Sequence, residues 1–205
     1  MATLEEFYKY TGESNDKELF ERVFNHFNSD KSTRHNYHEV YSSLFFDREK
    51  VESILEIGIY HGASLRAWKE LFHTSHVIGV DYEHQFFIQE DRIESLYVDQ
   101  RDLRTFYDVH KSLNGRTYDF IVDDGCHDPY ETLMTFNAVL PWLNVNGWFV
   151  VEDIRLVDEP QWQKVSDSLP SNYKSFLINM NHLRDMENDP HGLKDNIVLV
   201  VHRVS

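Results

Sequence analysis

Leu55-Glu56-Ile57-Gly58-Ile59-Tyr60-His61-Gly62-Ala63-Ser64-Leu65 is the stretch whose reading decides the fold. An apolar run ending at Ile57 meets Gly58, and after Gly62 the residues Leu65, Trp68, Leu71 and Phe72 recur at helical spacing. The pattern is strand, tight turn, helix. Gly58 lets the chain turn sharply and lets a ligand approach the backbone, while Gly62 and Ser64 open the helix with its amides exposed. Downstream, the runs Val77 to Val80, Leu96 to Val98, Phe120 to Val122 and Trp148 to Val151 follow, interleaved with helical patterns at Leu103 to Leu113 and Leu133 to Leu143, the latter opened by Pro129. Strands this apolar have no solvent face. Their alternation with helices predicts an α/β fold, a parallel sheet covered on both sides. A helix around Pro160 to Leu169 precedes two last extended runs, Ser175 to Ile178 and Asn196 to His202, which predict an antiparallel pair at one edge, joined by a polar, mobile segment, Asn179 to Lys194.

Upstream, Asn15 and Glu18 suggest a capping box before Leu19, Phe20, Val23, Phe24 and Phe27, and a second helix is expected from about Ser32 with Tyr37, Val40, Tyr41, Leu44 and Phe45 on one face. With 205 residues and no repeat or linker, one domain is expected over 1–205: an N-terminal helical lid or extension at 1–50 and an α/β core at 51–205. The net charge of −15 disfavours nucleic acid and anionic membranes as partners. One cysteine, Cys126, and an N-terminus carrying Glu5 and Glu6 in place of a basic, then apolar, leader point to a cytoplasmic protein without a membrane span.

The glycine turn has the spacing Gly-x-x-x-Gly. That departs from the Gly-x-Gly-x-x-Gly turn that brings a backbone against a pyrophosphate. Asp81, closing the second strand, is placed to accept hydrogen bonds from two ribose hydroxyls. A carboxylate at Glu56, on an interior strand, is costly to bury unless a cation partners it. A ribose without a pyrophosphate, together with a cationic group, describes S-adenosylmethionine. Its adenine would lie near Asp99 and Gln100. The candidate cofactor contacts are thus Glu56, Gly58, Tyr60, Gly62, Ser64, Asp81, Asp99, Gln100 and Asp123. The alternative is that the glycines only make a tight turn and that Asp81 and Asp99 only cap loops.

Two acidic clusters, Asp123-Asp124-Gly125-Cys126-His127 and Glu152-Asp153, close the fourth and fifth strands. Neighbouring strands lie roughly 5 Å apart, so these carboxylates crowd one small volume, where they raise one another's pKa or hold a cation. All-oxygen ligands favour a hard ion such as Mg2+. His127, three residues beyond Asp124, is a candidate general base. The alternative is that the acids cap the loops that follow.

Taken together, these residues resemble the class I S-adenosylmethionine-dependent methyltransferases, and within them the metal-dependent macrocin, mycinamicin and rhamnosyl sugar O-methyltransferase group. The resemblance runs from Ser29-Asp30-Lys31 and His35-x-Tyr37-x-x-x-Tyr41 through Leu55-Glu56-Ile57-Gly58, Gly79-Val80-Asp81, Asp99-Gln100-x-Asp102 and Val122-Asp123-Asp124-Gly125-Cys126-His127 to Val151-Glu152-Asp153-Ile154. It implies a Rossmann-like class I methyltransferase fold, with a mostly parallel seven-stranded sheet, one antiparallel edge strand and helices on both faces. It also implies Asp124, Glu152 and Asp153 as metal ligands, either Asp123 or Asp124 serving on the fourth strand, with His127 and Asp124 in the catalytic role. Ala63 stands where a second glycine is common, Val98 and Arg101 flank Asp99-Gln100 in place of small residues, and Cys126 replaces a serine.

The expected activity is transfer of a methyl group from S-adenosylmethionine to a hydroxyl of a small sugar-like or glycosylated acceptor, with Mg2+ or another hard divalent cation. A homo-oligomer is compatible with the sequence. The competing readings are a metal-free small-molecule methyltransferase and a non-catalytic adenosyl-ligand binding module of the same fold.

Overall fold

The computed structural model describes residues 1–45, 47–183 and 194–205. Its centre is a seven-stranded sheet made of β1 (Ser53–Ile57), β2 (His76–Asp81), β3 (Ile93–Tyr97), β4 (Tyr118–Asp123), β5 (Leu143–Val151), β6 (Tyr173–Asn179) and β7 (Ile197–Arg203), in the order β3-β2-β1-β4-β5-β7-β6. Strands β1 to β5 pair in parallel, and β7 runs antiparallel to both β5 and β6. The reversed strand therefore lies one place inside the edge, and β6 is the outermost strand. Strand order reverses between β1 and β4, which opens a crevice at the carboxyl ends of these two strands.

Register places the site. Ile57 pairs with Val80 and Asp123, and Asp123 pairs with Val151, so the residues that follow emerge at one level. The ladder carries on into the loops: the Gly58 amide donates to the Val80 carbonyl (2.9 Å), Asp124 to Ile57 (2.9 Å) and Glu152 to Asp123 (3.0 Å). Gly58, Asp81, Asp124 and Glu152 thus form one rim.

Four helices cover the sheet: α5 (Ala63–Leu71), α6 (Leu103–Ser112), α7 (Pro129–Val139) and α8 (Glu159–Ser168). Pro129 stands in the first turn of α7, where its missing N–H costs nothing, and Asp128 caps the helix by accepting from the Tyr130 and Glu131 amides. Along β5 the side chains alternate: Trp148 and Val150 enter one core, with Trp68, Phe24 and Tyr41, while Phe149 and Val151 enter the other, with Phe106, Phe136 and Trp162. Between β2 and β3 the chain makes only a single helical turn at His84–Phe86.

The N-terminal region packs on the first of these cores. It forms α1 (Leu4–Thr11), α2 (Lys17–His26), α3 (Asp30–Thr33) and α4 (His38–Tyr41). Helix α1 has no counterpart in the sequence reading. The capping box belongs to it, with Thr3 accepting from the Glu6 amide and Glu6 accepting from the Thr3 amide; α2 is capped at Asp16, without a side-chain bond. The single helix expected from Ser32 is two short ones separated by a turn in which the Tyr37 amide donates to the Lys31 carbonyl (2.9 Å). The reason is polar: Lys31, Tyr37 and Tyr41 all reach buried carboxylates, which a continuous helix with one apolar stripe does not supply. The joining segment assigned to Asn179 to Lys194 lies outside the described residues from 184 to 193. No helix among the described residues is long and apolar enough to cross a membrane.

Candidate functional site

A cavity of about 630 Å³ opens at the strand ends, of the size that holds a small molecule or cofactor. Backbone strain concentrates there. Asn28, Tyr60, His127 and Asp153 line it, and all four hold positive φ (58°, 46°, 54° and 54°), a conformation rare for residues with a Cβ.

On the β1 and β2 side, Asp81 lines the cavity. Its Oδ2 accepts from the Ile59 and Tyr60 amides (2.8 and 3.4 Å) and its Oδ1 from the Glu83 amide (2.9 Å), which fixes the carboxylate against the turn after β1. Gly58, Tyr60, Ser64, Asp99 and Gln100 also line the cavity. Asp99 is gripped by Arg101, whose Nε and Nη2 donate to its two oxygens at 2.8 and 2.9 Å, and this contact holds Asp99 below the usual carboxylate range. Gln100 is turned toward the β4 loop: its amide nitrogen donates to Asp123 (3.1 Å) and its carbonyl accepts from the Cys126 N–H (2.7 Å). Gly62 caps α5 in left-handed geometry (φ 69°) away from the cavity wall.

Glu56, Asp123 and Glu152 lie behind the wall. Glu56 is fully buried and accepts from the Trp68 indole N–H (2.9 Å); burial pushes its carboxyl up to about 7. The cation expected beside it comes from within the chain: Lys31 Nζ is 3.4 Å from Glu56 Oε1. The same ammonium donates to Asp124 Oδ2 (2.7 Å) and to Glu152, so one buried lysine of the N-terminal extension joins the ends of β1, β4 and β5. Burial alone disfavours its charge, but three carboxylates more than reverse that and raise its pKa well above the ordinary value. Tyr41 donates its hydroxyl to Glu152. Glu152 is raised well above its ordinary pKa by burial, then by the charges of Asp124 and Asp153. Asp123 is likewise pushed up to about 7 by burial.

Asp124 and Asp153 face the cavity with His127. One ligand atom from each of the three falls within 4.8 Å of the others, and His127 Nε2 lies 3.7 Å from Asp124 Oδ1 and 3.9 Å from Asp153 Oδ2. Burial raises the Asp124 carboxyl, but Lys31 and His127 outweigh it and hold it below the ordinary range. Asp153 is raised by burial, and Tyr37 donates to its Oδ1 at 2.6 Å. Two carboxylates and an imidazole converging on one point can hold a hard divalent ion, and the surplus acid beside them is already balanced by Lys31. The strand-end acids thus divide: Asp124 and Asp153 reach the cavity, while Glu152 reaches Lys31 and Tyr41.

The sequence reading gave no individual role to Lys31, Arg34, His35 or Asp195, the first three entering only as part of the Asp30 to Tyr41 stretch of the N-terminal lid or extension. His35 stacks on Tyr37 (4.7 Å between ring centres), with Nε2 3.6 Å from Asp153 Oδ1. The signal for Lys31 was available in principle, because an interior Glu56 with three further acids at the same level requires a cation, and Lys31 stands in the Ser-Asp-Lys stretch that opens α3.

Residues 55–154 match the family described as a methyltransferase domain. The 8-demethyl-8-alpha-L-rhamnosyl tetracenomycin-C 2'-O-methyltransferase of Streptomyces olivaceus is 31% identical over 157 residues, 73% of this chain and 41% of its own length. The mycinamicin VI 2''-O-methyltransferase of Micromonospora griseorubida is 27% identical over 171 residues, 76% of this chain and 42% of its own. The chain spans less than half the length of these relatives. Among solved structures, the MycE methyltransferase of the mycinamycin biosynthetic pathway, in complex with Mg, SAH and mycinamycin VI, superposes with a TM-score of 0.60 at 25% identity, over 65% of this chain and 38% of that one. Another crystal form of the same enzyme with Mg and SAH covers 90% of this chain at a TM-score of 0.69 and 21% identity.

Proposed function

Because the chain belongs to the class I S-adenosylmethionine-dependent methyltransferases through the methyltransferase domain at residues 55–154, we propose that it methylates a hydroxyl of a small sugar-like or glycosylated acceptor with the help of a divalent cation. The observation that carries this reading is the convergence of Asp124, Asp153 and His127 on the cavity, within 4.8 Å of one another. The names of the relatives support the acceptor class, since they methylate sugars of glycosylated natural products.

S-adenosylmethionine, when bound, supplies an electrophilic methyl group on a sulfonium. Asp124 and Asp153 would hold a divalent cation, which would supply Lewis-acid activation of an acceptor hydroxyl. The remaining work is done by the chain. Asp81, fixed by three backbone amides, presents its carboxylate to ribose hydroxyls, and Gly58 lines the cavity beside it while packing against the Asp124 backbone. Tyr37 orients Asp153, and Lys31 holds Asp124 and Glu152 together while cancelling part of their charge. His127, exposed on the cavity wall, would take the acceptor proton at Nε2 as the oxygen–methyl bond forms and the methyl–sulfur bond breaks, with S-adenosylhomocysteine leaving. Alignment of oxygen, methyl and sulfur accounts for much of the rate.

A metal-free version of the same transfer draws support from Lys31, which already supplies a cation to Asp124 and Glu152. Calorimetric titration with S-adenosylhomocysteine, with and without Mg2+, followed by methyl transfer to a panel of glycosides with and without chelator, tests both. Saturable 1:1 binding and chelator-sensitive turnover are expected. Turnover that survives the chelator selects the metal-free version, and no cofactor binding in either condition overturns the proposal.

A further inference from the structure

Arg34 has no part in the chemistry above, yet its side chain lines the cavity. It comes from the turn after α3, and its guanidinium Nη2 donates to Asp195 Oδ2 at 3.3 Å. Asp195, just before β7, lines the same wall. The two chain segments are fastened beside one another: His35 Nδ1 lies 3.3 Å from Asn196 Oδ1, and the Tyr37 hydroxyl bridges Asp153 Oδ1 and the Asp195 carbonyl. Arg34 is therefore held beside Asp195 at the β7 side of the sheet, whereas Asp81 closes β2 on the other side of β1, β4 and β5.

The other arginine on the cavity wall, Arg101, is spent on both oxygens of Asp99. Arg34 is different. Among the described residues its guanidinium has one hydrogen-bond partner, and its Nε is buried with none. The side chain is 31% exposed and Arg34 lines the cavity, and its guanidinium has more N–H donors than the one given to Asp195. An arginine and a carboxylate on one wall offer donors and acceptors a few ångströms apart, which matches adjacent hydroxyls on a sugar ring, each able both to give and to take a hydrogen bond. An anionic ligand fits less well, because Asp30, Asp153 and Asp195 stand on the same wall.

The geometry points to Arg34, with Asp195, as the specificity element that grips non-reacting hydroxyls of the acceptor sugar and presents its neighbour to Asp124, Asp153 and His127. This rests on the proposed methyl transfer to a glycosidic acceptor and names the part of the acceptor that is read.

The test measures binding as well as turnover. Methyl α-L-rhamnoside and its 2-deoxy counterpart are titrated by NMR into the protein saturated with S-adenosylhomocysteine and Mg2+, for the wild type, Arg34→Met and Asp195→Asn. Both variants are expected to keep S-adenosylhomocysteine affinity within twofold, which also reports that they fold. Their rhamnoside affinity should fall at least fivefold, and the wild-type preference for the rhamnoside over the deoxy sugar should shrink to near unity. Wild type that binds cofactor but neither sugar, or a variant that loses both sugars equally or neither, overturns the assignment. Selective loss of S-adenosylhomocysteine in Arg34→Met overturns it too, by placing the guanidinium at the cofactor. Failure of the methyl-transfer reading is a separate result, seen as no S-adenosylhomocysteine binding in the wild type.

Discussion

Gly58 and Asp124 meet backbone to backbone: a Cβ on Gly58 would lie 2.1 Å from the Asp124 carbonyl oxygen, and Gly58 holds φ at +93°. The turn that would receive the cofactor and the loop that carries the candidate metal ligand are therefore one packed unit. Gly58→Ala is expected to destabilise the fold by about 2 kcal/mol or more, since both the clash and the left-handed backbone oppose a side chain. Urea denaturation measures the loss, and calorimetry should show S-adenosylhomocysteine affinity falling with it.

Lys31 is the sole cation placed between two buried acids, Glu56 and Glu152, and the cavity-facing Asp124 in the described site. Replacing it by methionine strands Glu56 and Glu152 without their partner and should cost roughly 3–5 kcal/mol. Adding Glu56→Gln to Lys31→Met should recover part of that loss, because one stranded charge is then removed. Chemical denaturation of the single and double variants checks both statements, and equal stability of Lys31→Met and wild type would refute them.

Asp123 gives the stability a pH dependence of definite sign. Its carboxyl is pushed up from 3.8 to about 7 in the folded chain, so between those values the native state keeps a proton that the unfolded chain has released. Its contribution is full below about pH 4 and is lost as pH rises through about 7. Asp123→Asn, which keeps an acceptor for Gln100, should flatten that fall. Midpoints of urea unfolding between pH 5 and 8 give the comparison.

His127→Ala is expected to keep S-adenosylhomocysteine binding while turnover drops on the order of 10²–10⁴-fold, the range of a lost general base. If His127 instead serves as a third ligand to the cation, the variant's apparent Mg2+ affinity drops along with its turnover. Activity measured across a Mg2+ titration separates the two.

Tyr37→Phe removes the 2.6 Å bond to Asp153 Oδ1 without altering packing volume. The expected cost is about 1 kcal/mol of stability. Because Tyr37 orients a proposed metal ligand, apparent Mg2+ affinity should weaken about 10- to 100-fold. An unchanged Mg2+ dependence would remove Asp153 from the metal site.

The sheet was legible because its strands are apolar and carry turn signals at their ends. The runs at Ile54, Val77, Leu96, Phe120, Trp148, Ser175 and Asn196 each fall within or against an observed strand. The rim was legible too, since Asp81, Asp124 and Glu152 close strands whose register is set by the same pattern. What periodicity hid was direction. Glu56, Asp123 and Glu152 read like Asp81 and Asp124 in sequence, yet they lie behind the wall, Glu56 and Glu152 against Lys31 and Asp123 against Gln100. Tyr37 and Tyr41 read as an apolar stripe, and they are buried as expected, but their hydroxyls answer carboxylates more than a hundred residues away. Long-range pairing of that kind leaves no local mark.

The position of β7 bears on how the chain is made. Every other described strand precedes it, yet among the described residues β6 pairs with no other strand than β7, apart from a bridge to Ala2, and β5 keeps an open edge until residues 197–203 arrive. As the polypeptide leaves the ribosome, β1 to β5 can assemble in order, while β6 waits beside an unfilled slot. The last described strand then inserts between two earlier ones like a keystone, bringing Asp195 and Asn196 to the cavity wall as it does so. The nascent chain thus carries unpaired edges on β5 and β6 until residues 197–203 emerge, the interval in which association with a neighbouring chain competes with correct closure.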